Sequence, residues 1–186
     1  MSRACIFMAD GFEEIEALTV VDLLRRANIE VTMVSISDSI NLVGRSRITV
    51  AADAMWSEGI TDDCDLLVLP GGQPGTTYLG QHKGLKAQLV KAAGNGKYIA
   101  AICAAPTVLA NHGLLKGVKA TCYPGLESVL KEGGAEVVTE KAVVKDGKII
   151  TSRGAGTAVQ FALKLIDALL GDKVEDQIKD SIVYMH

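Results

Sequence analysis

Residues 97–107, K-Y-I-A-A-I-C-A-A-P-T, permit few backbone arrangements. The apolar run from Tyr98 to Ile102 is short and bounded by turn residues, which is typical of a buried strand. Pro106 suits the first turn of a helix, because the N–H group that proline lacks would be unpaired there. Cys103 is therefore predicted on a sharp strand-to-helix turn. This is the geometry of a nucleophile elbow, with cysteine where hydrolases carry serine.

Two interpretations of Cys103 follow from this placement. Free amide groups and partial positive charge at a helix N-terminus favour the thiolate, which would suit catalysis or redox sensing. Alternatively, the cysteine is a buried structural residue, since free cysteine is among the most buried residue types. The elbow alone does not decide between them.

Strands and helices alternate along the chain. Residues 3–9 and 30–36 are predicted strands with a helix at 12–27 between them, a unit typical of a parallel sheet. The other predicted elements are a hairpin within 41–50, strands at 65–69, 118–121, 135–138, 142–144 and 149–151, an Asp-Gly hairpin turn at 146–147, and helices at 85–93, 157–170 and 174–183. This order predicts a three-layer α/β fold in a single domain, residues 1–186.

Composition excludes several classes of protein. The chain has 186 residues and a formal net charge of −3, so a basic surface for nucleic acid is not expected. No stretch approaches the ~20 apolar residues of a membrane helix, and the N-terminus does not have the pattern of a signal peptide. We therefore expect a cytoplasmic protein. The four cysteines lack C-x-x-C spacing, which argues against a zinc site, and in a reducing cytosol all four thiols are expected to be free.

The first predicted helix opens with three glutamates at a strand exit, where ligands bind in such sheets. At about 100° per residue, Glu16 falls on the apolar face with Phe12 and Val20, whereas Glu14 falls toward the polar side. Glu13 and Glu14 fit ordinary first-turn acids, which the helix dipole favours. A carboxyl on a buried face is expected to have a raised pKa and could hydrogen-bond to a thiolate and move protons.

Two more strand exits could complete a site with Glu16 and Cys103. Gly71 and Gly72 lack side chains, so their amides can approach a ligand closely and stabilise an oxyanion, although an ordinary turn has the same pattern. Arg153 lies in a glycine-rich loop and could bind a carboxylate or an oxidised sulfur. A surface arginine that pairs across an interface is the alternative. We expect all of these loops to meet in one crevice.

Several stretches together resemble the ThiJ/PfpI superfamily, specifically its DJ-one branch. They are G-F-E-E-I-E with D-L-L-R-R-A, V-L-P-G-G, A-A-I-C-A-A-P-T-V-L-A, and I-T-S-R-G-A-G-T-A-V-Q-F-A-L-K-L. They cover most of the chain in the family's order, and the length matches a bacterial-type single-domain member. The resemblance implies a flavodoxin-like α/β/α sandwich, related to class I glutamine amidotransferases, with a mostly parallel sheet. It also implies a homodimer.

The resemblance implies roles for individual residues as well. Cys103 matches the family's reactive cysteine, which oxidises readily to the sulfinic acid, and Glu16 matches the glutamate that hydrogen-bonds to its sulfur. The other matches are Gly71, Gly72 and Ala104 in the backbone-amide pocket, Arg153 beside the site, and Arg47 reaching across the dimer.

Two positions depart from the family patterns. Ala104 stands where the peptidase-like branch has histidine, which argues against a protease. Tyr123 stands where many members of the DJ-one branch carry histidine. The remaining histidines do not replace it in an obvious way: His112, for example, is nine residues beyond Cys103. A Cys–His dyad is therefore not expected, and proton transfer would depend on Glu16.

The resemblance leaves two hypotheses about function. The first is a glyoxalase or deglycase acting on methylglyoxal, glyoxal or their early protein adducts, because the family has been assigned these activities. The second is a non-enzymatic oxidative-stress sensor or redox-regulated chaperone that uses Cys103, since such roles have also been assigned. Neither hypothesis implies a metal or an organic cofactor.

Overall fold

The computed structural model describes residues 1–185, and its centre is a mostly parallel β-sheet. The strands are β1 (Arg3–Met8), β2 (Glu30–Ser35), β3 (Asn41–Val43), β4 (Thr49–Ala51), β5 (Ala54–Met55), β6 (Leu66–Leu69), β7 (Tyr98–Ile102), β8 (Lys119–Ala120), β9 (Glu136–Val137), β10 (Val143–Asp146) and β11 (Ile149–Ser152). The main sheet has the order β10-β11-β7-β6-β1-β2-β5, and only the β10–β11 pair is antiparallel. An antiparallel β3–β4 hairpin and a short parallel β8–β9 pair stand apart from it.

Helices cover both faces of the main sheet. They are α1 (Glu14–Arg26), α2 (Gly75–Gln81), α3 (Lys83–Gly94), α4 (Pro106–Asn111), α5 (Glu127–Glu132), α6 (Ala158–Leu170) and α7 (Asp172–Ser181). Alternate residues of β1 point to opposite faces, as the pleat requires. Ile6 and Met8 pack with α1, α6 and α7, whereas Cys5 and Phe7 pack with the other four helices. The predicted flavodoxin-like three-layer α/β/α sandwich is confirmed.

Three elements were not predicted from the sequence, namely α2, the six-residue helix α5 and β5, and one turn was assigned incorrectly. Helix α2 has the sequence G-T-T-Y-L-G-Q, in which two glycines lower the helix propensity and obscure the pattern. Strand β5 is only two residues long and pairs with β2 at the edge of the sheet. In the β10–β11 hairpin Asp146 pairs with Ile149, so the two-residue turn is Gly147-Lys148 rather than Asp-Gly.

The prediction of four free thiols is wrong for Cys5 and Cys64, which form a disulfide. They are 59 residues apart in sequence, and composition could not show that β1 and the segment before β6 bring their sulfurs together. Both are core residues. Cys103 and Cys122 are free. Within residues 1–185 no helix has the length and apolar character needed to cross a bilayer.

Candidate functional site

The β7–α4 junction forms the predicted elbow. Cys103 has φ of 65°, a left-handed conformation that is uncommon for a residue with a side chain. Two backbone hydrogen bonds hold it: its N–H donates to the Ser152 carbonyl at 3.0 Å, and its own carbonyl accepts from the Tyr123 N–H at 2.8 Å. Pro106 begins α4, as predicted. The turn therefore leaves the Cys103 side chain half-buried at the carboxyl edge of the sheet.

Glu16 lies next to the sulfur, inside the apolar face of α1. Its side chain is 1% exposed, one carboxylate oxygen (Oε2) accepts the Gly71 N–H at 2.8 Å, and the carboxyl shares a hydrogen bond with the Cys103 thiol. Gly71 permits this close approach because a Cβ there would lie 2.6 Å from both the Cys103 Cβ and the Glu16 Oε2. The structure thus brings together three of the residues that the sequence singled out.

The amides near the sulfur differ in part from those expected. The N–H groups of Gly72 and Ala104 hydrogen-bond to the Cys103 sulfur. The Gly71 N–H already donates to Glu16, so it does not serve as a free donor for an oxyanion. Two amides, rather than the Gly71–Gly72 pair, are therefore placed to stabilise negative charge that develops at the sulfur or on an atom bonded to it.

The electrostatics of the pair favour the protonated forms. Burial raises the pKa of Glu16 from 4.5 to about 7, against the opposing hydrogen bonds from Cys103 and Gly71. Burial also raises the pKa of the Cys103 thiol, and the charge of Glu16 raises it further. The sequence-based expectation of a stabilised thiolate is therefore wrong for the resting site, because desolvation and Glu16 outweigh the two amides. Helix α4, whose N-terminus was expected to favour the thiolate, is only six residues long.

Glu14 is the clearest error of the helical-wheel analysis. It was predicted to lie toward the polar side of α1, but it is 5% exposed. Its Oε1 accepts the backbone N–H groups of Ser46 and Ile48, at 2.8 and 3.4 Å. Gly44 packs directly against this carboxylate, with no room for a Cβ. Glu14 therefore anchors the β3–β4 hairpin on α1, a contact that only the tertiary structure creates.

Arg45, at the tip of that hairpin, was not selected from the sequence. Its Nη1 lies 3.2 Å from Oε2 of Glu13, and its backbone N–H donates to the Phe12 carbonyl at 2.9 Å. Its charge lowers the pKa of Glu16, whereas the charge of Glu13 raises it. The motif R-S-R was the only available signal, and the resemblance directed attention to its second arginine instead.

The other predicted arginines lie elsewhere in relation to the pair. Arg153 is half-buried, and its Nη1 donates to the Thr139 carbonyl at 2.7 Å. Its charge acts on Cys122 and Glu127. Arg47 is exposed on the hairpin with φ of 67°, and its predicted reach across a dimer stays a prediction.

Tyr123, which the resemblance suggested as a departure from the family pattern, lies near Glu16 beside Gly154. Its side chain is 52% exposed, and its ring lies against Gly154. A Cβ added at Gly154 would lie 3.4 Å from Cδ2 of this ring and 4.0 Å from the Glu16 Oε1. Among residues 1–185, the hydrogen bonds of Cys103 and Glu16 include no histidine. His82 instead packs against Trp56 and accepts the Leu85 N–H.

Replacing Glu16 with glutamine is expected to stabilise the protein above neutral pH. Between pH 4.5 and about 7 the folded chain holds a proton on Glu16 that the unfolded chain has lost, so the raised pKa makes stability fall as pH rises through this window. The loss is complete above pH 7 and amounts to roughly 3 kcal/mol. Glu16→Gln removes it while keeping an oxygen for the Gly71 N–H.

Urea unfolding at pH 5 and pH 8 measures this effect. The free energy of unfolding of wild type, measured relative to that of Glu16→Gln, is expected to be lower at pH 8 than at pH 5. Glu132→Gln, which changes an exposed carboxylate on α5, is the matched control and should follow wild type. An equal difference between wild type and Glu16→Gln at both pH values would contradict the raised pKa.

Comparisons with family models, curated relatives and solved structures identify the same family over most of the chain. The model of the DJ-1/PfpI family matches residues 2–168. Protein dj-1beta of Drosophila melanogaster is 39% identical over 181 residues, covering 97% of this chain and 96% of the relative. The glutathione-independent glyoxalase DJR-1.2 of Caenorhabditis elegans is 32% identical over 171 residues, with coverage of 91% and 89%. The structure of oxidized DJ-1 from Toxoplasma gondii superposes with a TM-score of 0.94 at 35% identity and full coverage of both chains.

Proposed function

Because the chain belongs to the DJ-1/PfpI family, we propose that it is a cysteine-dependent glyoxalase or deglycase of the cytoplasm. Its substrates are methylglyoxal, glyoxal or their early protein adducts, and its role is defence against carbonyl and oxidative stress. A relative over nearly the whole chain is a glyoxalase by name, which supports a reaction of this type. The proposed chemistry uses only groups of this chain, with no metal or organic cofactor.

The hydrogen bond between Cys103 and Glu16 is the observation that carries the proposal. A carboxyl with a pKa of about 7 is present in both protonation states at neutral pH, so it can accept and return a proton. The thiol, whose pKa is raised, needs such a base in contact with it in order to attack. Glu16 replaces the histidine of a Cys–His dyad in this scheme.

The reaction follows from these positions. Ionised Glu16 takes the thiol proton as the Cys103 sulfur adds to the aldehyde carbon, and the proton passes to the carbonyl oxygen, which gives a hemithioacetal. Glu16 then removes the proton from that carbon to give an enediol, and reprotonation at the adjacent carbon, with transfer of the hemithioacetal hydroxyl proton to the neighbouring oxygen, yields a 2-hydroxy thioester. Water hydrolyses the thioester, releases the hydroxy acid and restores the thiol. The amides of Gly72 and Ala104 stabilise the negative charge that develops on oxygen.

Turnover of methylglyoxal by the purified protein, without added glutathione, tests the proposal. We expect lactate to form in many equivalents per Cys103, because addition, rearrangement and hydrolysis sum to methylglyoxal plus water giving lactate. The Cys122→Ser variant, which removes the other free thiol, is the control for nonspecific reaction. Consumption that stops after one equivalent, with a stable adduct on Cys103, would contradict catalysis.

The alternative function is a non-enzymatic oxidative-stress sensor or redox-regulated chaperone. Tyr123 in the place of a histidine favours it, because the site then has one proton-transfer group fewer. Two peroxide molecules would convert the Cys103 thiol to the sulfinic acid and two waters, and protonated Glu16 would hydrogen-bond to the product. Intact mass under peroxide should then show a selective gain of two oxygens at Cys103 before Cys122, and oxidation spread evenly over both would argue against a sensor.

A homodimer is also proposed for this chain. Ile15 on α1 and Val43 and Ile48 beside the hairpin tip are large apolar side chains, each about half exposed, on neighbouring elements. A second copy covering them would account for their exposure, and Arg47 lies on the same hairpin. Sedimentation of the purified protein measures the mass directly, and a monomer at micromolar concentration would contradict the dimer.

A further inference from the structure

A groove of about 600 Å³ lies at the carboxyl ends of β1 and β2, and neither Cys103 nor Glu16 lines it. Its walls follow three adjacent strands: Asp10 after β1, Ile36, Ser37, Asp38 and Ser39 after β2, and Tyr78, Gln81 and His82 on and just after α2, which follows β6. The strand β1 is the switch point of the sheet, because the chain continues to β2 on one side of it and later to β6 on the other. Open α/β sheets bind ligands in the crevice at such a point.

Hydrogen bonds to the backbone hold the walls of this groove. The buried Ser35 hydroxyl donates to the Ser39 carbonyl at 2.6 Å and accepts the Ser37 N–H at 3.2 Å, which fixes the loop after β2. On the side of β1, Oδ1 of Asp10 accepts the Val43 N–H at 2.8 Å. The groove is therefore largely preformed, as small-molecule sites usually are, and its volume lies in their range of roughly 300–1,000 Å³.

His82 lines the groove in a defined tautomer. Its Nδ1 accepts the Leu85 N–H at 3.0 Å, so the proton of the neutral ring is on Nε2. Burial lowers the pKa of His82, which keeps the ring uncharged at neutral pH. The ring packs edge-on against Trp56 with the ring centroids 4.8 Å apart, and this contact fixes its orientation. His82 therefore contributes an N–H donor without a charge.

The charge of the lining is negative. Asp10 and Asp38 contribute two carboxylates, and no lysine or arginine of the described chain lines the groove. Within residues 1–185, Asp38 and Oδ2 of Asp10 have no hydrogen-bond or ion-pair partner. The same residues contain no group of three or more His, Cys, Asp or Glu side chains that could hold a metal ion. The two carboxylates therefore suit an organic cation better than a metal ion.

The remaining polar groups of the lining are uncharged. They are the side chains of Ser37, Ser39, Tyr78, Gln81 and His82. A ligand hydroxyl both donates and accepts hydrogen bonds, so it can pair with any of these groups. We propose that the groove binds a hydroxylated primary amine, an amino polyol or amino sugar, with its ammonium group at the Asp10 and Asp38 carboxylates. Binding here involves neither Cys103 nor catalysis, so this site is independent of the proposed function.

Trp56 is a built-in reporter of this site, because it is the only tryptophan of the chain and it contacts His82. Its fluorescence is followed during titration with 1-amino-1-deoxy-D-glucitol, which carries an ammonium group and hydroxyls but no carbonyl that Cys103 could attack. We expect saturable binding. D-glucitol, which has a hydroxyl in place of the amine, and hexylamine, which lacks the hydroxyls, should each bind at least about 5-fold more weakly.

Asp38→Asn tests the role of the carboxylate with little risk to the fold, since Asp38 is exposed and bonds to no described residue. Its Kd for the amino polyol is expected to rise about 5- to 10-fold, consistent with loss of one charge-assisted contact, while its Kd for D-glucitol changes less than about 2-fold. Glu132→Gln, which changes an exposed carboxylate on α5, is the matched control and should leave both values unchanged.

Amide chemical shifts locate the bound amine independently of fluorescence. On addition of 1-amino-1-deoxy-D-glucitol, the shifts of residues 36–39 and 78–82 are expected to move together and to saturate with the same Kd. Three results would each overturn the inference: no saturable change in either measurement, equal affinity for the amine and D-glucitol, or an unchanged Kd in Asp38→Asn. Shifts confined to residues outside the groove would overturn it as well.

Discussion

Replacing Cys103 by serine is expected to reduce kcat/KM for methylglyoxal by a factor on the order of 10³ or more. The smaller oxygen is a weaker nucleophile than sulfur, and Glu16, with a pKa of about 7, is a poor base for a hydroxyl. A serine adduct would also be an ester, and an ester hydrolyses more slowly than the thioester formed on cysteine. The loss should therefore fall on kcat.

The control for this prediction is Cys122→Ser. Cys122 is a buried, free cysteine. It has the same side chain as Cys103 but lacks the hydrogen bond that Cys103 makes with Glu16. It should retain kcat/KM within a few-fold of wild type. Lactate is measured directly as the product, since methylglyoxal also disappears by addition to surface groups. A Cys103→Ser variant that forms lactate as fast as wild type would rule out the proposed chemistry.

Gly72→Ala is expected to lower the free energy of unfolding by about 3 kcal/mol or more. Gly72 has φ of 92°, which a side chain rarely adopts, and an added Cβ would overlap the Glu13 nitrogen and Gly11 oxygen and lie 2.6 Å from the Phe12 carbonyl carbon. These are backbone atoms, so no rotamer change can relieve the overlap. Relaxation would push the first turn of α1 away from the sulfur, and activity should fall as well.

Gly96→Ala separates the two causes. Gly96 also has a positive φ, 67°, but a Cβ there would meet nothing within 4 Å. Its cost should be limited to backbone strain, about 1 kcal/mol. Urea unfolding of wild type and both variants measures the difference. Equal destabilisation of the two would show that the loop around Gly72 yields to the added methyl group.

Local sequence patterns were sufficient where neighbours in the chain decide the outcome. The elbow was predictable because an apolar strand, small residues and Pro106 are adjacent, and the backbone at Cys103 has only one way to join them. Glu16 was identified because its position on α1 follows from helical periodicity. The strand exits converge because parallel strands end at one edge of the sheet.

Periodicity failed where a distant segment covers a helix. Glu14 lies toward the polar side on the helical wheel. The β3–β4 hairpin, which is some 30 residues away in sequence, nevertheless buries it and is anchored by its carboxylate. The same docking brings Arg45, rather than Arg47, into contact with Glu13. Nothing in a single helix or hairpin encodes which residue of a neighbour it will meet.

The sequence by itself determined the family, the α/β/α layering, the elbow cysteine and the glutamate beside it, because each depends on local periodicity or on contiguous motifs. Only the tertiary structure decided the protonation of the pair, since desolvation depends on everything packed around Glu16. It also decided that the Gly71 amide serves Glu16 and not an oxyanion, that Cys5 and Cys64 are bonded, and that Arg45 pairs with Glu13. These are contacts between segments far apart in the chain, and they exist only after the sheet has assembled.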